Sequence, residues 1–285
     1  MSKIDNMNRN LILLVLLSVI FFTDCAKNAD ETCGLKVYKE NKIQNYNILL
    51  IGNSLTIYNS LFETIMEVAK SNGDSVFVRN RSSFGWSLKN HCESKETLDA
   101  INSKNWDYVV IQGTGAGSEV KPSTVADSTF YKYALFLAEK IKMNNENTRI
   151  VLFMTSGAKY GALTFNDTIS CRKDPLVCDF DGMQERIKEN NIALSKLIDA
   201  EIAPAGIMWK ILINENKSFE LYDPDKVHPS PLGSYASALA IYSVICRKTV
   251  KGVYIPKNVV KEDAAIVQNT IYNSLFNCNP SWIDY

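Results

Sequence analysis

Residues 45–56 read Asn45-Tyr46-Asn47-Ile48-Leu49-Leu50-Ile51-Gly52-Asn53-Ser54-Leu55-Thr56. The unbroken apolar run from Ile48 to Ile51 has strand length and leaves no polar face, as expected of a strand covered on both sides. Gly52 ends it. Ser60 to Lys70 then carries Leu61, Ile65, Met66 and Val68 on one helical face. The same alternation recurs downstream. Further strands are expected at Ser75–Arg79, Asp107–Gln112, Arg149–Met154 and Glu201–Ala205, and helices at Glu93–Ile101, Thr129–Met143, Gln184–Asp199 and Leu232–Cys246. Thr155 to Asp181 reads as a long irregular stretch. Short apolar strands alternating with helices predict a three-layer α/β/α architecture around a mainly parallel sheet of about five strands. Ligands of such sheets bind beyond the carboxyl ends of the strands, which directs attention to Ser54, Gly85 and Gln112.

The 285-residue chain holds 31 Lys and Arg against 31 Asp and Glu, with 46% hydrophobic residues. That composition supports a packed core. The zero balance argues against a nucleic-acid partner, because phosphate neutralisation needs an excess of clustered cations. Only His91 and His228 are available for histidine chemistry.

Lys3 and Arg9 precede an apolar run from Leu11 to Phe22, broken only by Ser18. Its twelve residues suit the core of an export signal and fall short of the ~20 that span a bilayer. Residues 1–25 are therefore expected to be a signal peptide or lipoprotein leader, 26–44 a linker, and 45–285 a single domain. Three fates of the leader stay open: acylation of Cys25, cleavage near Ala26–Ala29, or retention as a membrane anchor. Phe22-Thr23-Asp24 is a poor lipobox. An extracytoplasmic location would favour disulfides among the six remaining cysteines, with Cys171–Cys178 the simplest local pair. With no CxxC and both histidines far from paired cysteines, no metal site is expected.

Four blocks carry the chemistry. They are Gly52-Asn53-Ser54-Leu55-Thr56, then Ser83-Phe84-Gly85-Trp86, then the Asp107–Gln112 strand with the glycine-rich loop it enters, and Asp225-Lys226-Val227-His228. In this order the chain resembles the SGNH (GDSL-type) hydrolases. The LLIGNSLT, WDYVVIQ, VLFMT and LYDPDKVHPSPLGSY stretches are similar to a bacterial subgroup of poorly defined substrate. The resemblance implies a flavodoxin-like parallel sheet, Ser54 as nucleophile, and a DxxH pair of Asp225 and His228. It also implies an oxyanion hole built from the backbone N–H groups of Ser54 and Gly85 and a side-chain amide. The family's third block usually supplies asparagine; here Gln112 stands there, and a backbone N–H of the glycine-rich loop is the alternative donor. Asn53 replaces the aspartate of the GDSL signature.

The physical logic agrees with that pattern. A serine hydroxyl needs an adjacent base, and only His228 has an aspartate at a spacing that can hold its ring. His91 reads as a helix-start or packing residue. The expected activity is hydrolysis of small acyl esters, acetyl among them, through an acyl-enzyme on Ser54, with no cofactor and a small-molecule or glycan ester as substrate. Acyl transfer to a surface glycan and a catalytically weak binding protein are the alternatives. The Thr155–Asp181 stretch is expected to wall the pocket.

Overall fold

A computed structural model describes residues 43–113, 129–216 and 218–277. The leader with Cys25, the linker through residue 42, Cys33, the glycine-rich loop beyond Gly113 and Cys278 lie outside the described residues.

Five strands form one parallel sheet: β1 (Asn45–Ile51), β2 (Ser75–Asn80), β3 (Tyr108–Ile111), β4 (Arg149–Phe153) and β5 (Ala200–Ala203), in the order β2-β1-β3-β4-β5. The chain leaves β1 toward β2 on one side and later adds β3 on the other. The carboxyl ends of β1 and β3 therefore flank the topological switch point, where open α/β sheets bind ligands.

Strand pleating sends alternate residues to opposite faces. Ile48, Leu50, Tyr108, Val110, Val151 and Phe153 enter one core, and Leu49, Ile51, Val109, Ile111, Ile150 and Leu152 enter the other. Between β1 and β2 run the short α1 (Ser54–Ile57) and α2 (Leu61–Ser71). After β2 come α3 (Leu88–Glu93) and α4 (Lys95–Asn102), and α5 (Thr129–Asn144) precedes β4. The β4–β5 connection holds α6 (Thr168–Lys173) and α7 (Phe180–Ile198), and after β5 follow α8 (Ala205–Glu215), α9 (Pro231–Cys246) and α10 (Lys261–Phe276). Residues of α2, α8, α9 and α10 cover the first core, and those of α3, α4 and α5 the second. The layered architecture is α/β/α.

Three differences from the sequence reading have physical causes. The 155–181 stretch is more ordered than expected, with 3-10 turns at Gly161–Phe165 and Pro175–Cys178 around α6. Each piece is six residues or fewer, too short to display a helical period. Helix α7 starts four residues earlier than expected, at Phe180, because the Asp179 side chain accepts from the Gly182 N–H and caps it. Helix α8 continues the apolar run of β5 without a polar break, so strand and helix merge in the sequence.

Cys171 and Cys178 form a disulfide that staples α6 to the second 3-10 turn. The six cysteines do not all pair, however: Cys92 and Cys246 are free thiols. Asp174, between the bridged pair, makes a buried 2.8 Å ion pair with Arg186 of α7 and ties this wall to the body of the protein. A bond that closes so short a loop contributes about 2 kcal/mol in the chain-entropy account.

Helix α9 is buried throughout from Gly233 to Cys246. It begins three residues after His228, with Ser230 as N-cap and Pro231 in the first turn. Its entry is tight. A Cβ on Gly233 would lie 2.2 Å from the Leu221 carbonyl oxygen and 2.4 Å from the Trp209 ring. Backbone cannot yield as a side chain would, so Gly233→Ala is expected to cost about 1–3 kcal/mol. The urea midpoint measures this, and a change within experimental error would contradict the packing described.

Candidate active site

The site grows from one peptide unit. The carbonyl of Gly52 accepts from the Ser83 N–H at 3.1 Å and from His91 Nε2 at 2.8 Å. On the other side of the same peptide plane, the Asn53 N–H donates to Gln112 Oε1 at 2.8 Å. Thr56 Oγ1 donates to the same Gln112 oxygen at 3.0 Å. No side chain fits at position 52: a Cβ there would lie 2.4 Å from Thr56 Oγ1 and 2.7 Å from Gln112 Oε1. Asn53 then caps α1, its side chain accepting from the Leu55 N–H. Ser54 is the first residue of that helix, directly after the β1 carboxyl end.

The opposite half of the site is a loop closed on itself. The Ser230 N–H donates to Leu221 O at 2.9 Å, the Asp223 N–H donates to His228 O at 2.7 Å, and an antiparallel bridge joins Tyr222 to Pro229. Inside it Asp225 Oδ1 accepts from the Val227 and His228 N–H groups, each at 2.9 Å. Asp225 Oδ2 is 2.5 Å from His228 Nδ1, and His228 Nε2 is 2.8 Å from Ser54 Oγ. A carboxylate on Nδ1 fixes the tautomer with its proton there. Nε2 is then the acceptor for the Ser54 hydroxyl. Burial pushes the Asp225 carboxyl up. Hydrogen bonds from the His228 ring and from the His228 and Val227 N–H groups outweigh it and hold the carboxyl below its ordinary value.

The two halves are joined by residues that the sequence reading missed. Asn59 Nδ2 donates to Pro229 O at 2.8 Å and to Ser234 Oγ at 2.9 Å. Asn59 and Ser60 both have positive φ, near 50°, which turns the chain from α1 into α2. Tyr58 stacks on the His228 ring, with centroids 4.1 Å apart and planes 8° from parallel. The sequence signal for Asn59 was its aptitude for left-handed backbone; Tyr58 offered none.

The donors expected at an oxyanion divide into two kinds. The Ser54 and Gly85 N–H groups have no hydrogen-bond partner among the described residues. Gly85 has φ +71, a conformation that favours glycine. The Gln112 amide faces differently. Its oxygen serves Asn53 and Thr56, and its Nε2 donates to the Gly113 carbonyl. In this geometry Gln112 braces the turn that leads into Ser54. Of the glycine-rich loop, only Gly113 is among the described residues.

His91 is fully buried. Its Nε2–H donates to Gly52 O, so its Nδ1 accepts from the Thr97 hydroxyl at 3.0 Å. It belongs to the scaffold under the turn.

No protein-family model and no curated protein sequence matches the chain. Solved structures do. A DUF4886 family protein from Bacteroides uniformis superposes with a TM-score of 0.66 at 16% identity, covering 84% of this chain and 98% of that one. A protein described as a GDSL-like lipase from Parabacteroides merdae gives a TM-score of 0.53 at 18% identity, covering 74% of this chain and 99% of that one. The fold is that of the SGNH hydrolases. On the SGNH framework, the ends of β1, β2 and β3 and the segment before α9 bring Ser54, Gly85, Gln112 and the Asp225–His228 pair to one edge of the sheet.

A cavity borders Ser54, with Asn53, Leu55 and Val227 on its rim. Ser156 to Ile187 supplies most of its wall, including Phe165, Asp167 and Met183.

The scaffold histidine generates a pH prediction. Burial pushes His91 down from 6.5 to about 4; the bond to Gly52 opposes this and the charge of Arg81 adds to it. The folded-state value lies below the unfolded one, so the unfolded chain takes up this proton first. The stability contribution is complete above pH 6.5 and is lost as the pH falls toward about 4. It amounts to about 3 kcal/mol. His91→Gln keeps a neutral donor and acceptor, so thermal unfolding of that variant is expected to depend less steeply on pH across this window. Equal slopes for the two proteins would contradict the assignment.

Proposed function

We propose that the protein is a serine esterase that cleaves carboxylic esters through an acyl-enzyme on Ser54. The observation that carries this reading is the hydrogen-bonded sequence Asp225 Oδ2, His228 Nδ1, His228 Nε2, Ser54 Oγ, with spacings of 2.5 Å and 2.8 Å at its two polar contacts. It is the arrangement that turns a weak hydroxyl into a nucleophile.

In the first step the Ser54 proton passes to His228 Nε2 while Oγ attacks the ester carbonyl carbon. The imidazolium is stabilised by Asp225, and the oxyanion is received by the uncommitted N–H groups of Ser54 and Gly85. Position adds to this, because Ser54 opens a helix and the N-terminal end of a helix favours negative charge. Collapse expels the alcohol, which takes the proton from Nε2. Water then repeats the sequence on the acyl-enzyme and releases the acid.

Exposure favours water as the acceptor. The His228 side chain is 23% exposed and that of Asp225 45%, so solvent reaches the base directly. The apolar leader sequence and the Cys171–Cys178 disulfide support an extracytoplasmic setting.

Ser54→Ala is expected to abolish p-nitrophenyl ester hydrolysis, and His228→Ala to reduce kcat by ~10⁴ or more. Gln112→Ala, which loosens the turn and leaves His228 in place, is expected to cost ~10² through misplacement of Ser54. Steady-state kinetics of the three variants check the order. A Gln112 effect larger than that of His228, or full activity in Ser54→Ala, would contradict these roles.

A further inference from the structure

We infer, on the basis of the Ser54 esterase reading, that the acyl group is a medium-length apolar one, considerably larger than acetyl, and that Ala162 and Met183 set its length. The cavity beside Ser54 has a volume of about 300 Å³. Leu55, Ala158, Ala162, Val177, Met183 and Ile187 give it an apolar lining, and Asp167 is the only charged residue on its wall among the described residues. An apolar cavity of about 150 Å³ admits benzene, with six non-hydrogen atoms, so this one takes roughly twelve.

The chemistry of the tetrahedral intermediate decides which part of the ester enters it. Three groups besides Ser54 Oγ surround the reacting carbon. The oxyanion turns toward the Ser54 and Gly85 N–H groups. The leaving alcohol must reach His228 Nε2 for its proton, so it departs on the imidazole side, toward Tyr58. The acyl chain is left with the remaining direction. Asn53, Ser54, Leu55 and Val227 border the cavity, whereas the His228 imidazole, Tyr58 and Gly85 are not among its described lining residues. It therefore lies on the acyl side.

The wall is held for the purpose of keeping a shape. The disulfide and the Asp174–Arg186 pair fasten the segment that carries Ala162 and Val177. Gly157 donates its N–H to Gln184 Oε1 at 2.8 Å, and Tyr222 donates its hydroxyl to Gly157 O at 2.6 Å. A preformed apolar slot rewards each methylene that fills it and gives nothing to an acetyl group.

The experiment is a series of p-nitrophenyl acetate, butyrate, hexanoate, octanoate and decanoate with the wild-type protein, Ala162→Phe and Met183→Ala, beside Ser54→Ala. Wild-type kcat/KM is expected to rise at least about tenfold from acetate to an optimum at hexanoate or octanoate. Ala162→Phe fills the slot and is expected to lower the octanoate-to-acetate ratio at least about tenfold. Met183→Ala enlarges it and should move the optimum toward decanoate, which decides the matter if Ala162→Phe does not fold. Ser54-dependent turnover with acetate as the best substrate, or an optimum that neither folded variant moves, would overturn the acyl-length inference and leave the esterase reading standing. Absence of turnover on every ester would overturn both.

Discussion

The peptide plane between Gly52 and Asn53 is fixed at both ends, and the rest of the site follows from it. Its carbonyl is held by Ser83 and His91, and its N–H by Gln112. A peptide is planar, so clamping oxygen and hydrogen on opposite sides leaves it no rotation. The next residue is Ser54, whose hydroxyl must lie within hydrogen-bond reach of a histidine 174 positions away in the chain. The same clamp gathers three strand ends. Ser83 follows β2, Gln112 follows β3, and the Gln112 N–H donates to Ile51 O at 2.8 Å beside the clamp. Each of these hydrogen bonds contributes only about 1 kcal/mol net, but together they fix one orientation of the turn.

Polar groups under this turn are costly to bury, and Gln112 and His91 are each satisfied by partners of matching type. Gln112 presents its oxygen to two donors, and His91 presents a donor to a carbonyl and an acceptor to a hydroxyl. Rotating the Gln112 amide would set its NH₂ against the Asn53 N–H and the Thr56 hydroxyl, losing the acceptor that both use. Depressed basicity at His91 is the consequence of the same burial. The two histidines thus differ: His228 is part-exposed, while His91 is buried and structural.

Much of this architecture was legible in residue order. Ile48 to Ile51 and the runs in β3 and β4 marked the central strands, because strands covered on both faces are continuously apolar, while the edge strands β2 and β5 showed as shorter, mixed runs. Asp225 and His228 were legible because they lie three apart within one loop. The contacts that orient them were not. His91 meets Gly52 across 39 residues, Gln112 meets Asn53 across 59, and Asn59 meets Pro229 across 170. No local pattern encodes such pairs. Gln112 shows the limit most clearly: its position at the end of β3 followed from the pattern, but the direction of its amide depends on Thr56 and Asn53. Helices α3, α8 and α10 escaped for local reasons. The first is a six-residue capped turn, the second runs on from an apolar strand, and the third mixes polar Gln268, Thr270 and Ser274 into its buried face.

The central claim is that Ser54 is activated by His228, and covalent labelling tests it most directly. A fluorophosphonate reacts with an activated serine and ignores an inert one. Peptide mass spectrometry of the labelled protein is expected to find one phosphonyl adduct, on Ser54, and to find none in His228→Ala. No adduct on the wild-type protein, or an adduct on Ser54 that persists undiminished without His228, would contradict the account.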